Sequence, residues 1–96
     1  MNREKILEIV TSSLSEYLES RGENIKIDEL TYLVGRKSVI DSIGLVNIIV
    51  DIEGKLLDED IEITLLSEKA MSQANSPFKN VGTLTEFIYS EISESV

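Results

Sequence analysis

The stretch IDSIGLVNIIVDIEGKLL, Ile40 to Leu57, constrains the fold of this chain more than any other. Ile43, Val46, Ile49, Val50 and Leu57 recur at helical steps and share a face, while Leu45, Ile48, Ile52 and Leu56 widen the apolar surface. Asp51 and Glu53 mark a narrower wet side. The pattern predicts a helix from about Ser42 to Leu57, and a helix apolar over so much of its circumference belongs at the centre of a fold. Gly44, in its first turn, costs on the order of 1 kcal/mol relative to alanine.

The flanking sequence supplies the partners for such a helix. From about Arg3 to Ser20, Ile6, Leu7, Val10, Leu14, Tyr17 and Leu18 fall on one stripe, with Glu4, Glu8, Ser12, Glu16 and Glu19 largely off it. Arg21 and Gly22 end this helix, with Gly22 as its C-terminal cap. Residues 22–40, GENIKIDELTYLVGRKSVI, show no sustained period and read as a long anchored loop with one short turn after Asp28. After the acidic DEDIEI, Thr64 suits the start of a short helix of about Leu65 to Ala74, broken by Asn75-Ser76-Pro77. Thr83-Leu84-Thr85-Glu86 fits a capping box, and Leu84, Phe87, Ile88 and Ile92 form the stripe of the last helix.

The 96 residues suit one domain, 1–96, with a single modest core. The expected fold is all-α: a four-helix bundle with three longer helices, one short helix and a long first loop. Its core is predicted from Ile6, Val10, Leu14, Ile43, Val46, Val50, Leu84, Phe87 and Ile88.

Composition narrows the function. With 18 acidic and 9 basic residues the chain carries a net charge of −9, which disfavours nucleic acid and anionic lipid and favours partners with basic patches. No stretch approaches the roughly 18 apolar residues of a membrane span, and a monomer in a reducing cytoplasm is expected. Cysteine and histidine are both absent, removing thiolate chemistry and the usual neutral-pH base. Asp58, Asp60 and Glu62 alternate as in a calcium loop, but the required glycine and final carboxylate are replaced by Ile63 and Lys69. GRKS, Gly35 to Ser38, lacks the glycine-lysine order of a phosphate-binding loop. Nothing in the sequence argues for an enzyme.

Asp41-Ser42 admits two readings. Both residues can simply open the helix. Alternatively Ser42 is a site of attachment: a serine without a base is a poor nucleophile, yet a phosphodiester on it would meet the free N–H groups and positive dipole end of the helix.

Here DSIGLVNIIVDIE resembles the DSL signature of acyl carrier proteins, with an aliphatic residue after Asp-Ser, Val46, Ile48 and Ile52 at the family's apolar spacing, and Glu53. TLTEFIYSEI resembles the family's final helix, and the likeness covers almost the whole chain. The resemblance implies that Ser42 is esterified with 4′-phosphopantetheine, whose thiol holds acyl groups as thioesters. Asp41 would then engage a phosphopantetheinyl transferase. Ile43, Val46, Asp51 and Glu53 would help present the cargo to an acyl ligase or acyltransferase and to other enzymes with basic docking patches. The carrier would serve fatty-acid, polyketide, lipid or another specialised biosynthesis. An aminoacyl or peptidyl carrier and an arm-less acidic adaptor are the alternatives. Val39 replaces the glycine of GxDSL, Asn47 a common glutamate, and Gly54-Lys55 interrupts the acidic end of the helix. Thr64 to Gly82 is also longer than the family's usual connection. These departures fit a specialised free-standing carrier.

Overall fold

A computed structural model of the chain describes residues 1–65 and 77–94. Among them are three helices, α1 (Arg3–Ser20), α2 (Ser42–Asp58) and α3 (Val81–Glu94), and no strand beyond one isolated antiparallel bridge, Tyr32 with Asn80. The short helix expected at about Leu65 to Ala74 lies, beyond Leu65, outside the described residues.

Helix α1 packs against both α2 and α3, whereas α2 and α3 make no close backbone approach to one another among the described residues. Among the described helices the central one is therefore α1. This corrects the expectation that α2, the most apolar segment, occupies the middle. Ile6, Val10, Leu14 and Leu18 are buried as their spacing predicts, and Ile9 joins them. From α2 come Ile48, Ile49, Ile52 and Leu56, and from α3 Val81, Leu84, Ile88 and Ile92. Leu33 and Ile40 of the long loop, with Leu65 and Phe78, close the cluster. Phe87 packs only partly against it, making an edge-to-face contact with Phe78 at 6.4 Å between ring centroids.

Helix termini are fixed by local chemistry. Asn2 caps α1 by accepting from the Lys5 amide at 2.9 Å. At its other end Glu23 N–H donates to Leu18 O and Gly22 N–H to Glu19 O, a Schellman closure with Gly22 at φ 75°. The end of α2 repeats this pattern, with Ile61 N–H on Leu56 O and Asp60 N–H on Leu57 O. There the left-handed position belongs to Asp60, at φ 62°, rather than to glycine. Asp60→Gly is expected to relieve that conformation and stabilise the fold by about 0.5 kcal/mol, after the extra chain entropy of glycine is offset. Thermal unfolding followed by circular dichroism should show a rise of roughly 2–4 °C.

The last helix begins a turn earlier than its sequence suggests. Asn80 and Thr83 form the reciprocal box: the Thr83 amide donates to Asn80 Oδ1 at 2.8 Å, and the Asn80 amide to Thr83 Oγ1 at 3.0 Å. Glu86, expected to cap Thr83, instead pairs with Arg3, which also pairs with Glu29. Thr83 thus stands three residues inside the box, and Val81 and Gly82 form the first turn.

Residues 22–40 contain no helix, and they are anchored as expected of a long loop. Asp28 organises the turn that follows it by accepting from the Leu30 amide at 2.9 Å. Leu33 N–H then donates to Lys79 O at 2.9 Å, Val81 N–H to Thr31 O at 3.1 Å and Gly82 N–H to Glu29 O at 2.8 Å. Two orphan amides of the α3 terminus are satisfied by loop carbonyls in this way. A side chain at position 82 would bring its Cβ to 3.1 Å from Glu29 O, so glycine permits this approach.

Candidate modification site and docking surface

The start of α2 is set by Asp41. Its extended backbone and its carboxylate, which accepts from the Gly44 amide at 2.7 Å, make it the N-cap. Leu45 N–H donates to Asp41 O at 2.9 Å as the first helical bond. The simple reading of Asp41, that it opens the helix, is therefore satisfied by geometry.

Ser42 occupies the next position and is exposed. Its hydroxyl makes no hydrogen bond to any described residue, and the adjacent carboxylate is committed to Gly44. Among the described residues no side-chain base rests on the oxygen. Because Asp41 satisfies only the third amide of the turn, the amides of Ser42 and Ile43 have no backbone partner among the described residues. This donor pair at the positive helix end favours negative charge close to Ser42.

The rotation of α2 about its axis is decided by its contact with α1. Gly44, Ile48, Ile52 and Leu56, four residues apart, turn inward with Ile49. Gly44 allows the ring of Tyr17 to lie against the backbone: a Cβ there would sit 2.7 Å from the Tyr17 hydroxyl. Ile43, Val46 and Val50, predicted to be core, consequently face outward, 72%, 45% and 58% exposed, with Leu57 at 59%. The helix has more apolar residues than α1 can cover, so one arc stays in solvent. The outcome is an exposed aliphatic stripe that begins beside Ser42, runs through Val50 and resumes at Leu57 near the end of α2.

Each acidic candidate takes a distinct position beside the stripe. Glu53, three residues beyond Val50 and four before Leu57, borders it; Glu53 is half-buried and accepts from the Leu65 amide at 3.4 Å. Asp51 lies on the opposite flank and is exposed, paired with Lys55 at 3.0 Å. Burial alone would push the Asp51 carboxyl up, but the Ser13 hydroxyl and Lys55 outweigh it and hold the group below the usual carboxylate range. Lys55 also contacts Glu16 at 2.8 Å and Ser13 Oγ at 3.0 Å, bridging α2 to α1. Asp41, Ser42, Ile43 and Val46 thus share one exposed end of α2, with Asp51 and Glu53 farther along on either side of the stripe.

A second feature adjoins Asp41, the residue before Ser42, and has no signal in the linear pattern. Tyr17 and Arg21 at the end of α1, with Glu23, face Ser38, Val39, Ile40 and Asp41 across a groove of about 390 Å³. The Arg21 guanidinium lies over the Tyr17 ring, 5.7 Å from its centroid, and donates to the Tyr17 hydroxyl at 3.3 Å. Only the tertiary pairing of α1 with the lead-in to α2 creates this groove.

Among the described residues no carboxylate cluster is arranged to hold a metal ion, and no helix is long and apolar enough to cross a membrane. No family model matches this chain, and neither does any curated protein or solved structure.

Proposed function

We propose that the protein is an acyl carrier: Ser42 bears 4′-phosphopantetheine, and the arm's thiol holds acyl intermediates as thioesters for partner enzymes. The observation that carries this reading is the exposed Ser42 hydroxyl at the first position of α2, with an aliphatic stripe starting alongside; among the described residues neither the hydroxyl nor the two amides beneath it has a hydrogen-bond partner. Capping alone accounts for Asp41 but requires neither an exposed serine nor an outward row of Ile43, Val46 and Val50.

In this reading the protein's own residues position and present rather than catalyse. The transferase activates the Ser42 hydroxyl, which displaces the nucleotide half of coenzyme A and forms the phosphate ester. The protein's opening amides stabilise the added charge, while the stripe supplies apolar contact and Asp41, Asp51 and Glu53 supply negative potential towards a basic patch. The fold proposed with it is the four-helix acyl-carrier bundle, with its short helix beyond Leu65. Fatty-acyl, polyketide and aminoacyl groups are all chemically suited to the thioester.

Incubating the purified chain with coenzyme A and a promiscuous phosphopantetheinyl transferase tests the proposal. Intact mass should rise by one phosphopantetheine in the wild type and remain unchanged in Ser42→Ala. A wild type that stays unmodified, or a Ser42→Ala variant that is modified, overturns it. The exposed stripe also suits an arm-less acidic adaptor, and that reading predicts no mass change with either chain.

A further inference from the structure

We propose that the groove between Tyr17-Arg21 and Ser38-Asp41 is the resting seat of the proximal arm, binding its phosphodiester and the branched, amide-bearing segment that follows. This inference rests on attachment at Ser42 and adds where the arm lies when no partner holds it.

Charge supplies the first argument. A phosphodiester on Ser42 would add negative charge directly beside the Asp41 carboxylate, which cannot turn away without releasing the Gly44 amide. Neighbouring anions repel unless a cation intervenes. The basic residue that borders the same groove as Asp41 is Arg21. Arg3 pairs with Glu29 and Glu86, and Lys55 with Glu16 and Asp51. Arg21, like Lys5, Lys26, Arg36, Lys37 and Lys79, forms no ion pair with a described residue; what sets it apart is its place in the groove, which Glu23 also lines. A guanidinium held on an aromatic ring at the edge of the groove and left without a carboxylate is available to an anion.

Shape and lining supply the second. At about 390 Å³ the groove lies within the range of about 300–1,000 Å³ typical of small-ligand pockets. Tyr17, Val39 and Ile40 offer apolar surface for a gem-dimethyl group, and Ser38 and the Tyr17 hydroxyl offer polar atoms near an amide. Ser38 Oγ already donates to Ile40 O at 2.7 Å, which holds this wall in place. Tyr17 also lies against Gly44, so arm binding here would be sensed at the start of α2.

Nuclear magnetic resonance of the loaded protein, with the arm isotopically labelled, provides the test. Wild type should show nuclear Overhauser contacts between the arm's two methyl groups and the Tyr17 ring protons, together with shifts at residues 17, 21 and 38–41 on loading. Arg21→Gln should load to the same mass yet lose those contacts, with its unloaded amide spectrum unchanged outside the groove. Glu23→Gln should load and retain them. Loading without Tyr17 contacts, or contacts that persist in Arg21→Gln, overturns the seat while leaving the carrier function standing. Failure of wild type to gain mass overturns the attachment itself, and the seat with it.

Discussion

Ile49→Ala is expected to destabilise the protein by about 3 kcal/mol, while Val50→Ala, one residue later, changes stability by less than about 0.5 kcal/mol. The two positions are adjacent, aliphatic and helical, so sequence gives little reason to separate them. Their surroundings do. Ile49 is fully buried, and truncation would leave a cavity in a close-packed cluster. Val50 is 58% exposed, so alanine sacrifices little packing and gains helix propensity. Because a domain of this size is stable by only about 5–15 kcal/mol, the first change should lower the melting temperature by more than about 10 °C. Equal losses at both sites would mean that α2 is rotated differently from the geometry described above.

The second large effect concerns recognition. Under the proposed carrier function, replacing Val46 and Val50 together by glutamine is expected to lower kcat/KM for transferase loading of Ser42 by at least about tenfold, equivalent to about 1.4 kcal/mol. Glutamine is a good helix former and preserves net charge, so the change removes apolar contact while leaving the fold and long-range attraction in place. The melting temperature should move little, since both residues face solvent. Added salt should slow loading of both proteins by screening the acidic flanks, and the ratio between them should be nearly independent of salt. A double variant that loads at the wild-type rate would remove the stripe from the docking surface.

Both predictions turn on the same structural fact. An exposed apolar row on a helix is a liability in a protein with no partner, because it invites association. Here it begins at a serine set at a helix start and is bordered by carboxylates, which suit a partner with basic groups. The pairing of Asp51 with Lys55 reduces the charge on one flank, so Glu53 and the capping Asp41 leave the stripe's negative border uneven. Partner orientation along α2 should follow that asymmetry.

Local chemistry alone determined much of this protein. The apolar spacing of Ile6, Val10, Leu14 and Leu18 is enough to place α1, and Gly22 is enough to end it, because helix periodicity and left-handed caps are properties of short segments. Asp41-Ser42 likewise marks the start of α2. Tertiary structure decided which arc of α2 is buried, which helix is central, and where α3 begins. Nine aliphatic side chains spread around α2 exceed what one neighbour can cover, so hydrophobicity alone could not choose between Ile49 and Val50. The close fit of Tyr17 on Gly44 made that choice. Asn80 displaced Thr83 as the cap because the loop from Glu29 to Leu33 supplies carbonyls to the amides of Val81 and Gly82, a partnership between segments about fifty residues apart. Burial and capping at these places depend on what lies opposite in space, and that is a property of the assembled fold.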